Sequence, residues 1–76
     1  MNQPLKIELM ATMKRYWTED LVRFTVAPGY RNRDLMNQLK IPEYEVYLVF
    51  INGKEGNIES VITGGDCVAL FPPIAD

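Results

Sequence analysis

Side chains that could carry out chemistry are few in this sequence of 76 residues. Cys67 is the only cysteine, which excludes an internal disulfide and a metal site built from a cysteine pair. There is no histidine, so the commonest general base and the commonest metal ligand are both missing. Cys67 could accept sulfur or form a thioester. We favour a plain free thiol, because no basic residue stands beside it in sequence to activate it.

Two pairs of carboxylates are the next candidates. Glu43 with Glu45, and Glu55 with Glu59, could act as general acid and base if burial set their proton affinities apart. The sequence offers no flanking apolar pocket for either pair. Solvated loop charges are therefore the favoured interpretation, and no metal site is predicted from these oxygens.

A basic and aromatic segment at residues 14–17 is the last candidate. Such mixtures occur at protein and nucleic-acid interfaces, and tryptophan is enriched among the residues that dominate binding energy. The simpler alternative has Tyr16 and Trp17 capping one end of the core while Lys14 and Arg15 stay in water. The 8 basic residues of the chain never form a run, so neither nucleic acid nor an anionic membrane is predicted as a partner.

Length and composition predict one globular domain over residues 1–76. The chain is 47% hydrophobic and 24% charged with a net charge of −2, which is the balance of a folded domain rather than of a disordered chain. No apolar run reaches the roughly 20 residues of a membrane span, and the first residues lack a signal-peptide layout. We expect a cytoplasmic protein. It is not expected to be an enzyme, since so small a core can hardly enclose a typical pocket of about 300–1,000 Å³.

Alternation of apolar and polar residues predicts strands at both ends of the chain. In residues 5–9 the apolar positions face inward, and in residues 21–26 Val22, Phe24 and Val26 share one face, so two antiparallel strands are expected first. Residues 67–71 form the last predicted strand, with Val68 and Leu70 inward and Cys67 outward.

The middle of the chain predicts one short helix and one central strand. Apolar residues in 32–40 fall on one helical face, with Asn32 as the N-cap and Pro42 ending the helix. Residues 46–51 are nearly all apolar, which predicts a strand covered on both faces. Turns are expected at Asn52-Gly53 and at residues 64–66.

This order of elements favours a parallel pairing of the first and last strands. The expected fold is therefore α+β, a small mixed sheet with one helix packed on a single face, of the β-grasp type. Residues 72–76 are expected to project from the domain as a tail.

Two segments carry a resemblance to a known family. The LVFING segment at residues 48–53 and the GDCVALFPP segment at residues 65–73, in this order and spacing, resemble the ubiquitin-like sulfur carriers of the MoaD/ThiS family, and above all the small subunit of molybdopterin synthase. The resemblance implies a carrier in sulfur transfer for molybdopterin-type cofactor biosynthesis, with no catalysis and no bound cofactor of its own. It implies two kinds of partner, an E1-like adenylyltransferase and a protein like the large subunit of molybdopterin synthase.

The resemblance also assigns roles to the tail and to one surface. Members of that family end in Gly-Gly, whose carboxylate is adenylated and converted to a thiocarboxylate. Here the corresponding carrier tail is Pro73, Ile74, Ala75 and Asp76, and the double glycine at residues 64–65 is internal. Three interpretations follow: a diverged docking module that does not transfer sulfur, a chain cut short of a Gly-Gly end, or activation of Asp76 itself.

The same resemblance predicts an apolar patch on the open face of the sheet that docks to partners. Its members are expected to be Ala69 and Phe71 of the last strand, with Tyr47 or Leu48 according to register. Phe71 and Pro72 lead directly into the tail, and together with Ala69 they are the predicted partner-binding residues.

Overall fold

Four short strands and one α-helix form the domain, connected by three 3₁₀ helices. The computed structural model describes residues 3–73. The elements are β1 (Lys6–Leu9), a first 3₁₀ helix (Ala11–Tyr16), a second (Glu19–Arg23), α1 (Asn32–Leu39), a third 3₁₀ helix (Glu43–Glu45), β2 (Leu48–Ile51), β3 (Lys54–Gly56) and β4 (Cys67–Phe71). No helix within residues 3–73 is long and apolar enough to cross a membrane.

The sheet has the strand order β1-β4-β2-β3. β1 is parallel to β4, with Leu9 opposite Leu70, whereas β2 is antiparallel to both β4 and β3. The first and last strands of the fold therefore lie side by side inside a mixed sheet. This confirms the predicted α+β architecture of the β-grasp type.

One hydrophobic core fills the space between the sheet and α1. Every second residue of the strands points into it, as the two-residue period of a strand requires. The first two 3₁₀ helices and the loop before β4 contribute further buried side chains to this core. The buried core consists of Leu5, Ile7, Leu9, Met13, Leu21, Leu35, Met36, Ile41, Val49, Ile62, Val68 and Leu70.

The start of α1 corrects one prediction. The N-cap is Arg31, whose extended backbone places its N–H 2.8 Å from the Asp34 carboxylate, so that the acidic side chain reaches back over the first turn. Asn32 is the first helical residue and is fully buried, with its backbone N–H donating to the Ser60 carbonyl at 2.9 Å. Asn32 already has helical backbone and lies one residue past the N-cap position, which needs an extended backbone, so the predicted N-cap at Asn32 is wrong.

The end of α1 agrees with the sequence. Lys40 takes a left-handed conformation (φ 61°) and donates its backbone N–H to the Asn37 carbonyl at 3.2 Å, while Ile41 donates to Met36 at 2.8 Å. These two bonds close the last turn, and the helix cannot continue into Pro42.

The predicted second strand is wrong. Residues 19–23 form a 3₁₀ helix, in which Leu21 is buried (3% exposed) and Val22 is largely in solvent (61% exposed). Leu21 and Phe24 are three residues apart, the spacing that aligns side chains in a 3₁₀ turn, and Phe24 packs against the core. One backbone hydrogen bond, from the Leu5 N–H to the Phe24 carbonyl at 2.8 Å, ties this segment to the residue before β1.

The strand predicted for residues 46–51 is shorter and is covered on one side only. β2 begins at Leu48, and Val49 is its one buried residue. Leu48 and Phe50 alternate with Val49 and lie on the face of the sheet opposite to α1. Coverage of both faces was the wrong expectation, because the single helix can cover only one of them.

A tight hairpin joins β2 to β3 as predicted. Asn52 and Gly53 both have positive φ (54° and 82°), and Ile51 pairs with Lys54 across them. Positive φ at both central residues is typical of the type I′ turn, which the Asn-Gly sequence favours.

Candidate functional site

The face of the sheet turned away from α1 carries an apolar surface. Register places Leu48 opposite Phe71 and Phe50 opposite Ala69, and all four residues belong to the same face of neighbouring strands. We call these four residues the outer face. None of them belongs to the hydrophobic core or to the partly buried residues packed against it, which lie on the helix side.

Two aromatic rings form the centre of the outer face. The rings of Phe50 and Phe71 meet edge to face, with centroids 5.5 Å apart and an interplanar angle of 78°. Both side chains are half-buried, and so is Leu48. The surface is therefore an ordered aromatic patch and not a set of separate side chains.

The predicted partner-binding residues are placed unequally. Phe71 and Pro72 are half-buried at the end of β4 and belong to the surface, as expected. Ala69 is 8% exposed, so it forms the floor between the larger side chains, and its predicted exposure is wrong. A methyl side chain is too short to emerge from between Phe50 and Glu8, its neighbours in register.

Sequence reasoning missed Phe50. The apolar run at residues 46–51 predicts a strand buried on both faces, which leaves no exposed aromatic residue there. The one available signal was the count of helices: a chain with a single short amphipathic helix must leave one sheet face bare. Tyr47, also named as a candidate, is exposed, and its backbone N–H donates to the Phe71 carbonyl at 2.7 Å.

Charged side chains border the outer face on both edges of the sheet. Glu8 lies opposite Ala69, Ala69 opposite Phe50, and Phe50 opposite Glu55. This cross-strand row, which crosses all four strands, begins and ends with an exposed carboxylate. Within residues 3–73 neither carboxylate takes part in a side-chain hydrogen bond or an ion pair.

Cys67 begins β4 on the same side as the outer face. Val68 and Leu70 point into the core and are fully buried, while Cys67 is half-buried and free, which confirms the predicted orientation. Its register partner is Lys6, and its backbone N–H donates to Asn52 Oδ1 at 2.9 Å. These contacts fix the position of the strand and indicate no function for the thiol.

Asp66 holds the turn before β4 against the β2–β3 hairpin. Its carboxylate accepts hydrogen bonds from Asn52 Nδ2 at 3.0 Å and from the Thr63 backbone N–H at 2.9 Å. These hydrogen bonds lower the pKa of Asp66 below its ordinary value. The bond from Asn52 has the largest effect, followed by the bonds from Thr63. The double glycine at residues 64–65 is part of this turn, which the Asp66 N–H closes by donating to the Thr63 carbonyl at 3.0 Å. Gly64 has no space for a side chain, since a Cβ there would lie 2.6 Å from the Gln3 carbonyl oxygen.

The paired carboxylates do not form acid–base pairs. Glu43 accepts from Arg33 at 2.7 Å, and Glu59 accepts from the Arg33 Nε at 2.9 Å, while Glu45 pairs with Arg15. These are surface ion pairs, which contribute little to stability. No group of three or more histidine, cysteine or acidic side chains suited to a metal ion occurs in residues 3–73.

The basic and aromatic segment divides into two parts. Tyr16 packs against the core and donates its hydroxyl to Glu45 at 2.6 Å, with the Arg15 guanidinium 5.1 Å from its ring centroid. Trp17 is exposed. The capping role thus applies to Tyr16 and not to Trp17.

An open cleft of about 320 Å³ lies between the second 3₁₀ helix and the end of α1. Leu21, Phe24 and Leu39 are among its lining residues, with Asp20 and Lys40. The sequence did not predict a cleft of this size. It contains neither Cys67 nor any of the paired carboxylates, so it adds nothing to the candidate chemistry.

The predicted tail can be followed only at its start. β4 ends at Phe71, and Pro72 and Pro73 continue without regular structure, as residues that cannot donate to a strand ladder. Ile74, Ala75 and Asp76 lie outside the described residues.

Comparison with known proteins gives one match. The family model described as Mut7-C ubiquitin matches residues 7–76, which includes every strand of the sheet except the first residue of β1. No curated protein and no solved structure matches the chain.

Proposed function

The chain belongs to the Mut7-C ubiquitin family, and we propose that it works as a docking module that binds a protein partner through its outer face and catalyses no reaction itself. The observation that carries the proposal is the Phe50–Phe71 pair, held in an ordered edge-to-face arrangement outside the hydrophobic core, on the sheet face opposite to it. Aromatic side chains are enriched in protein interfaces, where they bury large apolar areas at a small cost in conformational entropy.

The rigidity of this surface favours binding. The outer face is carried by β4 and β2, and β4 is hydrogen-bonded on both sides, by β1 and by β2. A partner therefore meets side chains whose backbone is already fixed, and less entropy is lost on association than with a flexible loop.

The finer form of the proposal is a carrier for sulfur. In this form the partners are an E1-like adenylyltransferase and a protein like the large subunit of molybdopterin synthase. The support is the resemblance of residues 48–53 and 65–73 to the MoaD/ThiS family, together with the position of Phe71 where the chain passes from β4 towards the candidate carrier tail. Docking through the outer face would bring that tail to the partner's active site.

Replacing one aromatic ring tests the docking surface. We expect Phe71→Asp to weaken binding to either proposed partner by at least about tenfold in titration calorimetry, because a carboxylate would be desolvated in an apolar contact. Val22→Asp is the matched control, since Val22 is exposed on the second 3₁₀ helix, outside the outer face. Equal binding by both variants would contradict the proposal.

The intact mass of the protein tests the carrier form separately. The chain is incubated with the E1-like adenylyltransferase, ATP and a sulfur donor, and its mass is compared with that of the starting material. Replacement of one oxygen by sulfur would support transfer. An unchanged mass, with binding that still depends on Phe71, would leave a docking module that transfers no sulfur.

A further inference from the structure

We infer that the outer face recognises an extended protein segment in which one apolar residue stands between two cationic residues, in the pattern Arg-Xaa-Leu-Xaa-Arg. The inference rests on the proposed docking function and adds the chemistry of the partner to it. It is carried by the cross-strand row, in which Glu8 and Glu55 stand at the two edges of the sheet with Ala69 and Phe50 between them.

The row has a defined length. It crosses three inter-strand spacings of roughly 4.8 Å each, so the backbones of Glu8 and Glu55 are about 14 Å apart. The two residues between them form a shallow apolar depression, because Ala69 is nearly covered and the larger Phe50 side chain stands beside it. The site is therefore a short apolar surface with a carboxylate at either end.

An extended peptide reproduces this spacing. Side chains at positions i, i+2 and i+4 of a strand share one face and cover about 14 Å at roughly 3.4 Å per residue. Such a segment, lying across the strands, places its first and fifth side chains over Glu8 and Glu55 and its third over Ala69 and Phe50. A helix would need about ten residues for the same length at roughly 1.5 Å per residue, and its side chains would not stay on one line.

The charges select a cationic segment. Glu8 and Glu55 are exposed and have no ion-pair partner within residues 3–73, so both remain available. Lys6, the one cation on this face of β1, belongs to the neighbouring row opposite Cys67. A second copy of this chain would present the same acidic row, and like charges would oppose each other.

Synthetic peptides of matched sequence test the inference. The probe is the end-blocked pentapeptide Arg-Ser-Leu-Ser-Arg, and the controls have glutamate at both ends or serine in place of leucine. We expect the probe at millimolar concentration to shift the backbone NMR signals of Glu8, Ala69, Phe50 and Glu55. The glutamate peptide should not, and loss of the leucine should weaken the effect.

Variants of the protein separate the two levels of the proposal. In the double variant Glu8→Gln/Glu55→Gln we expect the dissociation constant of the probe to rise about fivefold, the size expected for two exposed ion pairs (about 1 kcal/mol), and the dependence on salt to fall. The Lys54→Gln variant, on the same edge, should retain full affinity. Unchanged binding of the probe by the double variant would overturn the cationic pattern and leave the docking function standing. The inference as a whole would be overturned if the probe shifted no signals, or only signals from other parts of the protein. Phe71→Asp, tested against the proposed partners, decides the docking face itself.

Discussion

At the scale of single residues, the polar groups of this domain secure turns and ends more than they prepare a reaction. Asp66 connects two turns that are far apart in sequence, and Asp34 secures the start of α1. The link from Asp66 to Asn52 could not be predicted from the sequence, because it depends on a tertiary contact between residues 14 apart, whereas Asp34 receives its hydrogen bond from Arg31 only three residues earlier. Asn32 shows the same limit: the sequence favours it as an N-cap, but its Oδ1 is buried with no hydrogen-bond partner in the described part of the chain.

Acid should weaken the domain through Asp66. Its pKa is lowered in the fold, so the carboxylate contributes stability above the unfolded-state value of about 4, and this contribution disappears as pH falls through the lowered pKa. We expect Asp66→Asn to cost about 1 kcal/mol near neutral pH, since Asp66 is close to the surface and its hydrogen bonds are partly screened.

Urea unfolding at two pH values provides the measurement. The difference in free energy of unfolding between wild type and Asp66→Asn should be full near neutral pH, should shrink as pH falls below about 4, and should vanish once the folded-state carboxylate is protonated. A difference of the same size at both pH values would show that the charge of Asp66 does not stabilise the fold.

At the scale of elements, the sequence predicted secondary structure correctly wherever a local pattern was compatible with one structure only. The Asn-Gly hairpin, the two-turn helix and β4 were all predicted, because turn chemistry and periodicity agreed at each of them. Residues 21–26 had two solutions. Their alternation fits a strand, yet Leu21 and Phe24 also fit a 3₁₀ turn, and contact of both with the core selects the turn.

Two neighbouring alanine variants distinguish these solutions. In the structure Leu21→Ala empties a core position and should cost about 2–5 kcal/mol, whereas Val22→Ala should change the free energy of unfolding by less than about 0.5 kcal/mol. A strand with Val22 facing inward requires the reverse order. Thermal unfolding followed by circular dichroism is sufficient to rank the two variants.

At the scale of the whole molecule, one helix on one side of a sheet decides where a partner can bind. The sequence predicted that an open face would exist and placed Phe71 on it. It assigned Ala69 wrongly and overlooked Phe50, since the register between β2 and β4 cannot be read from either strand alone. The tail beyond Pro73 lies outside the described residues, so its predicted role stays a prediction.

Adjacent residues of β4 should respond oppositely to the same substitution. Leu70 is fully buried in the core, so Leu70→Asp places an unpaired charge there and should unfold the domain. Phe71 faces outward, and Phe71→Asp should leave a folded protein with a free energy of unfolding lowered by about 1 kcal/mol. Dispersed NMR spectra for the second variant alone would support this assignment of faces, and loss of structure in both would contradict it.

The place of β4 between β1 and β2 also governs when the domain can form. On the ribosome, β1 is the first strand to emerge and β4 the last, and neither β1 nor β2 has its shared neighbour until Phe71 has left the exit tunnel. Until then Ile7 and Leu9 have no sheet to join, and the nascent chain presents apolar segments that chaperones recognise. The domain is therefore expected to fold in a single late step, once β4 has left the exit tunnel.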